Sequence, residues 1–248
     1  MSQATASPAH IAPLRLDARL QPQAIAAVFK RFGRVHVPGI LTAETAVAVH
    51  RALTGPVPWT LHYNECDAVY DVPVWQVDAL SEPERLALRA PIWARATTGF
   101  QYCFENFPLS DYFERGEHRD HPLMLAYELM RSDAMVAFAR RITGCDEISV
   151  VDAQATRYRA GDFLTAHDDR DESKGRVAAY VLNLTPRWSS DWGGLLQFLD
   201  ADGHVAEAYT PAFNALNVFR VPQPHSVSFV TPFAGQPRLS ITGWFRRR

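Results

Sequence analysis

Apolar and polar positions divide this chain into two unlike stretches. From residue 14 to about 147 the apolar residues recur mostly at helical spacing; from 148 to 248 they fall in short, β-branched and aromatic runs. In the first stretch, "QPQAIAAVFKRFG" predicts a helix that starts near Pro22 and stops at Gly33. "TAETAVAVHRAL" predicts another, capped by Thr42, and "SEPERLALRAPIWARA" a third that opens on Ser81 and Pro83. "HPLMLAYELM" and "SDAMVAFARRITG" read as a helix pair broken at Ser132 and closed by Gly144. Among these helices "RVHVPGIL" and the aromatic-rich "GFQYCFENFPL" read as strands. Residues 1–13 are small and polar and predict a loose tail.

In the second stretch, "ISVVDAQATRYRAG", "RVAAYVLNLT", "GLLQFLD", "HVAEAYT", "NALNVFRV", "HSVSFVT" and "RLSITGWF" read as strands separated by Pro, Gly or Asp clusters. "DADG" suits a hairpin turn with Gly203 at positive φ. Gly193 and Gly194 read as a tight turn rather than a close strand crossing. Many short strands with turn punctuation suggest a barrel or jelly roll. The expected class is therefore α+β: a single domain over 1–248, with mainly helical support over 14–147 and a β core over 148–248. No linker-like composition separates the two parts.

Composition narrows the function classes. A net charge of -2 and 47% hydrophobic residues are those of an ordinary soluble globular chain, and no basic field suggests nucleic-acid binding. No apolar run is long enough to cross a bilayer, and the first residues lack the apolar core of a signal peptide. Cys66, Cys103 and Cys145 are widely spaced and odd in number, which suits a reducing cytoplasm better than a disulfide framework.

The candidate chemistry begins at "TAHDDRDESKGR". In a strand, residues i and i+2 share a face, so His167 and Asp169 would lie together with Asp168 opposite. A neutral imidazole beside a carboxylate suits a divalent first-row metal such as Fe(II). The pattern alone is weak, and it occurs again as His118 and Asp120 in "GEHRDH", where the charged context reads as a solvated loop. The copy at His167 has company. His225 starts a late strand, and "RLSITGWF" would place Arg238, Ser240, Thr242 and Trp244 on one strand face. A guanidinium there can hold a carboxylate through paired hydrogen bonds, with Ser240 adding another.

In the order His167-x-Asp169, His225, Arg238-x-Ser240 the chain resembles the 2-oxoglutarate and Fe(II)-dependent dioxygenases, in their prolyl 4-hydroxylase-like branch. "RYRAGDFLTAHDD", "RVAAYVLNLTPRW", "DWGGLLQF" and "PRLSITGWF" look most like the subgroup that hydroxylates a ribosomal-protein proline. The resemblance spans roughly Asp152 to Phe245 and is looser before it. It implies a double-stranded β-helix, the cupin-like jelly roll, buttressed by the N-terminal helices. It implies His167, Asp169 and His225 as catalytic metal ligands, and Arg238 at the distal carboxylate of 2-oxoglutarate with Ser240 or Thr242. Tyr158 matches a family tyrosine that reaches this cosubstrate. Asn183 stands where relatives often carry a tyrosine, and is shorter but still able to donate. Trp244 and Tyr102 are candidate substrate-pocket walls. The implied reaction consumes O2 and 2-oxoglutarate, with ascorbate as a support, and hydroxylates a C–H bond with release of succinate and CO2. The expected partner is a proline-containing protein or peptide, with a free amino acid or other small metabolite as the alternative and a non-catalytic metal- or carboxylate-binding module behind it. No membrane or nucleic-acid partner is expected, and the oligomeric state is left open.

Overall fold

The computed structural model describes residues 14–66 and 68–248; the tail expected over 1–13 lies outside them. The predicted helices form where their caps stand. α1 (Pro22–Phe32) stops at Gly33 with φ 70°, a left-handed cap that costs glycine nothing. α2 (Ala43–Thr54) starts at Thr42, whose hydroxyl accepts the Thr45 N–H. Two short helices, α3 (Val74–Ala79) and α5 (Leu109–Arg115), were not expected from the pattern. α4 (Glu82–Arg95) opens with the Glu84 carboxylate on the Ser81 N–H. α6 (Leu123–Met130) and α7 (Asp133–Thr143) are the expected pair, divided at Ser132.

Among its described residues the first half carries seven helices and also contributes to the sheet. Four of its segments are strands: β1 (Arg34–Pro38), β2 (Thr60–Glu65), β3 (Ala68–Pro73) and β4 (Tyr102–Phe107). All four are hydrogen-bonded into the sheet that carries the second half. β2 and β3 are not among the strands read from the sequence, and they pair with each other from Thr60 with Pro73 to Glu65 with Ala68. Their strand identity comes from partners, β2 lying between β3 and β4.

The second half supplies β5 (Val150–Val151), β6 (Gln154–Tyr158), β7 (Phe163–His167), β8 (Arg176–Asn183) and β9 (Leu196–Leu199). It continues with β10 (Val205–Tyr209), β11 (Ala215–Arg220), β12 (His225–Val227) and β13 (Arg238–Arg246). The sheet runs β1-β11-β8-β13-β6-β4-β7-β12-β9-β10, antiparallel throughout, and curls into a nearly closed barrel-like jelly roll. β9 and β10 meet across the "DADG" turn, where Gly203 has φ 80°.

Period-two alternation decides what each face does. On β8, Ala178, Tyr180 and Leu182 join the large core under the helices, with Phe29, Leu53, Phe138 and Ile142. Ala179 and Val181 turn to the barrel interior, where they pack near Phe198 and Phe219. Gly193 does more than turn the chain: a Cβ there would lie 1.9 Å from the Phe229 carbonyl oxygen, so the strand crossing is close and only glycine fits. No helix among the described residues is long and apolar enough to cross a membrane.

Candidate functional site

β7 ends on His167 and β12 begins on His225, and the two residues are direct antiparallel partners. Register alone therefore brings the imidazoles together, their ring centroids 4.1 Å apart. Asp169 arrives differently from the expected i, i+2 strand geometry. The strand has already ended, and Asp169 sits at φ 61° in the left-handed region, which Asp tolerates better than most residues. That turn folds its carboxylate back between the rings, with Oδ1 3.4 Å from His167 Nε2 and Oδ2 3.5 Å from His225 Nε2. Asp168 is not one of the three converging ligands; it caps the next turn through the Arg170 N–H at 3.0 Å.

Both imidazoles are held in the same tautomer. His167 Nδ1 lies 3.0 Å from the Thr165 carbonyl and His225 Nδ1 lies 2.7 Å from the Gln223 carbonyl. A carbonyl can only accept, so each Nδ1 carries the proton and each Nε2 presents a lone pair. Burial, with His167 alongside, holds His225 down at about 4, so it is neutral at pH 7. Burial by itself would raise Asp169, but the two histidines outweigh it and keep the carboxyl below its ordinary value. Two imidazoles and one carboxylate, with ligand atoms all within 4.8 Å of one another, fit a divalent first-row metal. No other His, Cys, Asp or Glu trio among the described residues converges in this way. His118 instead rests its ring on Tyr112 and Phe107 in an exposed loop.

The triad opens on a cavity of about 610 Å³, also lined by Tyr102, Tyr158, Arg238, Thr242 and Trp244. Arg238 starts β13 directly opposite Tyr158 on β6. Its guanidinium is 1% exposed, 5.0 Å from the centre of the Tyr158 ring, and no carboxylate among the described residues pairs with it. Its Nε has no hydrogen-bond partner. Burial lowers the arginine from its ordinary value and raises the Tyr158 hydroxyl well above its own. An unpaired buried cation costs several kcal/mol, so a carboxylate-bearing ligand would relieve a cost already present in the fold.

The remaining candidates divide. Ser240, fully buried, does not line the cavity; its hydroxyl is 2.8 Å from that of Thr156, which does. Asn183 pairs in register with Ser240 and lies on the same β8 face as Ala179 and Val181. Both atoms of its amide are buried without a partner. Trp244 walls the metal end, under the Arg176 guanidinium at 3.8 Å. Arg176 in turn donates to the Asp169 carbonyl at 2.9 Å and so pins the left-handed turn. Arg176, Thr156 and His62 line the cavity without having been singled out by sequence, while Phe100 of the aromatic-rich "GFQYCFENFPL" lines it beside Tyr102 and Phe104.

The fold is a jelly roll whose interior carries a triad able to hold a divalent metal. Residues 153–246 match the family model described as the 2OG-Fe(II) oxygenase superfamily. Over 136 residues the chain is 32% identical to mouse (Mus musculus) prolyl 3-hydroxylase OGFOD1, covering 52% of this chain and 24% of that protein. The chain thus spans about a quarter of this curated relative. A Pseudomonas putida prolyl-4-hydroxylase superposes with TM-score 0.56 and 20% identity, covering 92% of this chain and 100% of that one. A Trichoplax adhaerens prolyl hydroxylase, solved with a hypoxia inducible factor peptide fragment, gives TM-score 0.60 and 15% identity over 91% and 89%.

Proposed function

We propose that this chain is an Fe(II)- and 2-oxoglutarate-dependent hydroxylase acting on a prolyl residue of a protein. The observation that carries the reading is a pair of complementary sockets in one cavity: the His167, Asp169, His225 triad and the buried, unpaired Arg238. Iron with 2-oxoglutarate and O2 would supply an oxidant for an unactivated C–H bond, with succinate and CO2 as coproducts. The triad would hold the metal through two Nε2 atoms and the Asp169 carboxylate. Arg238 would pair with the distal carboxylate of 2-oxoglutarate, near the Tyr158 hydroxyl. Asn183 would donate from its free amide, directly or through a water, while Ser240 would act behind Thr156. Thr242 and Trp244 close the metal end, and Tyr102 with Phe100 and Phe104 forms an apolar wall that excludes water around the reacting carbon.

The mouse relative is a prolyl 3-hydroxylase and the Trichoplax neighbour holds a peptide, which supports a protein substrate over a free amino acid. The chain is read as one catalytic unit, because β1–β4 of the first half complete the sheet of the second. Three free cysteines suit a reducing compartment such as the cytoplasm. The test is incubation with Fe(II), 2-oxoglutarate, ascorbate and proline-containing peptides. Succinate should form in step with a peptide mass gain of one oxygen atom. Turnover with free amino acids but no peptide would move the substrate assignment to a small metabolite; no consumption of 2-oxoglutarate under any condition would overturn the reading.

A further inference from the structure

His62 is not needed to assemble the metal or cosubstrate sockets, yet it faces the same cavity. It lies on β2, directly opposite Asp71 on β3 and Phe104 on β4, so all three share one face of the sheet. Its Nδ1 is 2.8 Å from Asp71 Oδ1, and the hydrogen bond from His62 is the main reason the Asp71 carboxyl lies below its ordinary value. The ring stacks on Tyr102 at 4.9 Å and 23°, and meets the Phe104 ring edge-on at 5.4 Å. From Tyr102 the aromatic wall continues through Phe100 at 5.7 Å to His167 at 5.4 Å. No protein group among the described residues takes His62 Nε2. A solvent-accessible His–Asp pair contributes little to stability, so stability is a poor reason to place one on an otherwise aromatic wall.

We propose that His62, oriented by Asp71, is a substrate-contacting residue whose Nε2 accepts a backbone N–H of the peptide beside the hydroxylated residue. The inference rests on the peptide-hydroxylase reading above. In the neutral form of the ring, the proton held on Nδ1 by Asp71 leaves Nε2 as an acceptor. A prolyl residue has no N–H of its own, so the bonded amide belongs to a neighbouring residue. Asp71 acts through His62 and is a positioning residue.

The experiment uses a short synthetic peptide with one central proline that the wild-type protein hydroxylates. It compares wild type with His62→Phe, which keeps the ring, with Asp71→Ala, and with the double variant. His62→Phe should raise the peptide KM about tenfold, and Asp71→Ala about threefold. The double variant should be no worse than His62→Phe alone, since Asp71 has nothing left to orient. Substrate-free conversion of 2-oxoglutarate to succinate should be unchanged in all three. An unchanged peptide KM in His62→Phe overturns the proposal, as does a parallel loss of the substrate-free reaction, which would mark a structural role. A wild-type protein that consumes 2-oxoglutarate but hydroxylates no prolyl peptide overturns the peptide reading itself, and is read before any variant is made.

Discussion

At one end of the cavity three side chains compensate one another; at the other a buried guanidinium faces no acid. His167 and His225 hold the Asp169 carboxylate between them, and their shared geometry lowers its pKa despite burial. Arg238 lies beside a tyrosine and near an asparagine whose amide is also unpaired. The difference follows from what each end would bind. A cation site built from a carboxylate and two imidazoles contains groups that can share a proton through hydrogen bonds between them. An anion site built on one arginine has no such partner, and keeps its charge uncompensated in the fold.

The sharpest way to break this comparison is to remove one member from each end. His167→Ala should lower Mn(II) affinity, read by calorimetry, by at least about 100-fold, since even changes beside a metal ligand cost about 10- to 100-fold. Retained affinity would move the metal elsewhere. Arg238→Met should weaken 2-oxoglutarate binding by about 100-fold while leaving Mn(II) affinity intact. Because the arginine is buried without a counter-ion, the same variant without ligands should melt no lower than wild type. A lower melting temperature would show that Arg238 has a partner in the free protein.

Ligand-induced stabilisation separates the ends further. With Mn(II) present, 2-oxoglutarate at about 100 times its Kd should add about 2.7 kcal/mol to wild-type stability, and nothing to Arg238→Met. Asn183→Ala should raise the 2-oxoglutarate KM by about three- to tenfold, with a stability change below about 1 kcal/mol because no protein hydrogen bond is lost. The smallest effect belongs to the other His-x-Asp copy: His118→Ala should leave Mn(II) affinity unchanged, since no third ligand converges there.

Much of the site could be read along the chain, for reasons that differ by residue. His225 and Arg238 each open a strand after a Pro-containing segment, so their strands and their order were visible. Strand alternation pointed to Asp169 over Asp168, but it is a left-handed turn after the strand that brings the Asp169 carboxylate to the two rings. Ser240 was placed on the correct strand and not on the cavity surface, because burial behind Thr156 depends on a neighbouring strand. His62 carried no readable signal, since its partner Asp71 and its stacking partner Tyr102 stand on two other strands.

The sequence by itself determined the helices with their caps, most of the later strands, and the residue types of both sockets. These depend on backbone periodicity and on side chains that act within a few residues of themselves. Only the tertiary structure decided that β2 and β3 join the sheet, that His167 and His225 are register partners, and that no carboxylate among the described residues meets Arg238. Those facts depend on which strands lie side by side, and register between segments far apart in the chain is set by packing of the whole sheet.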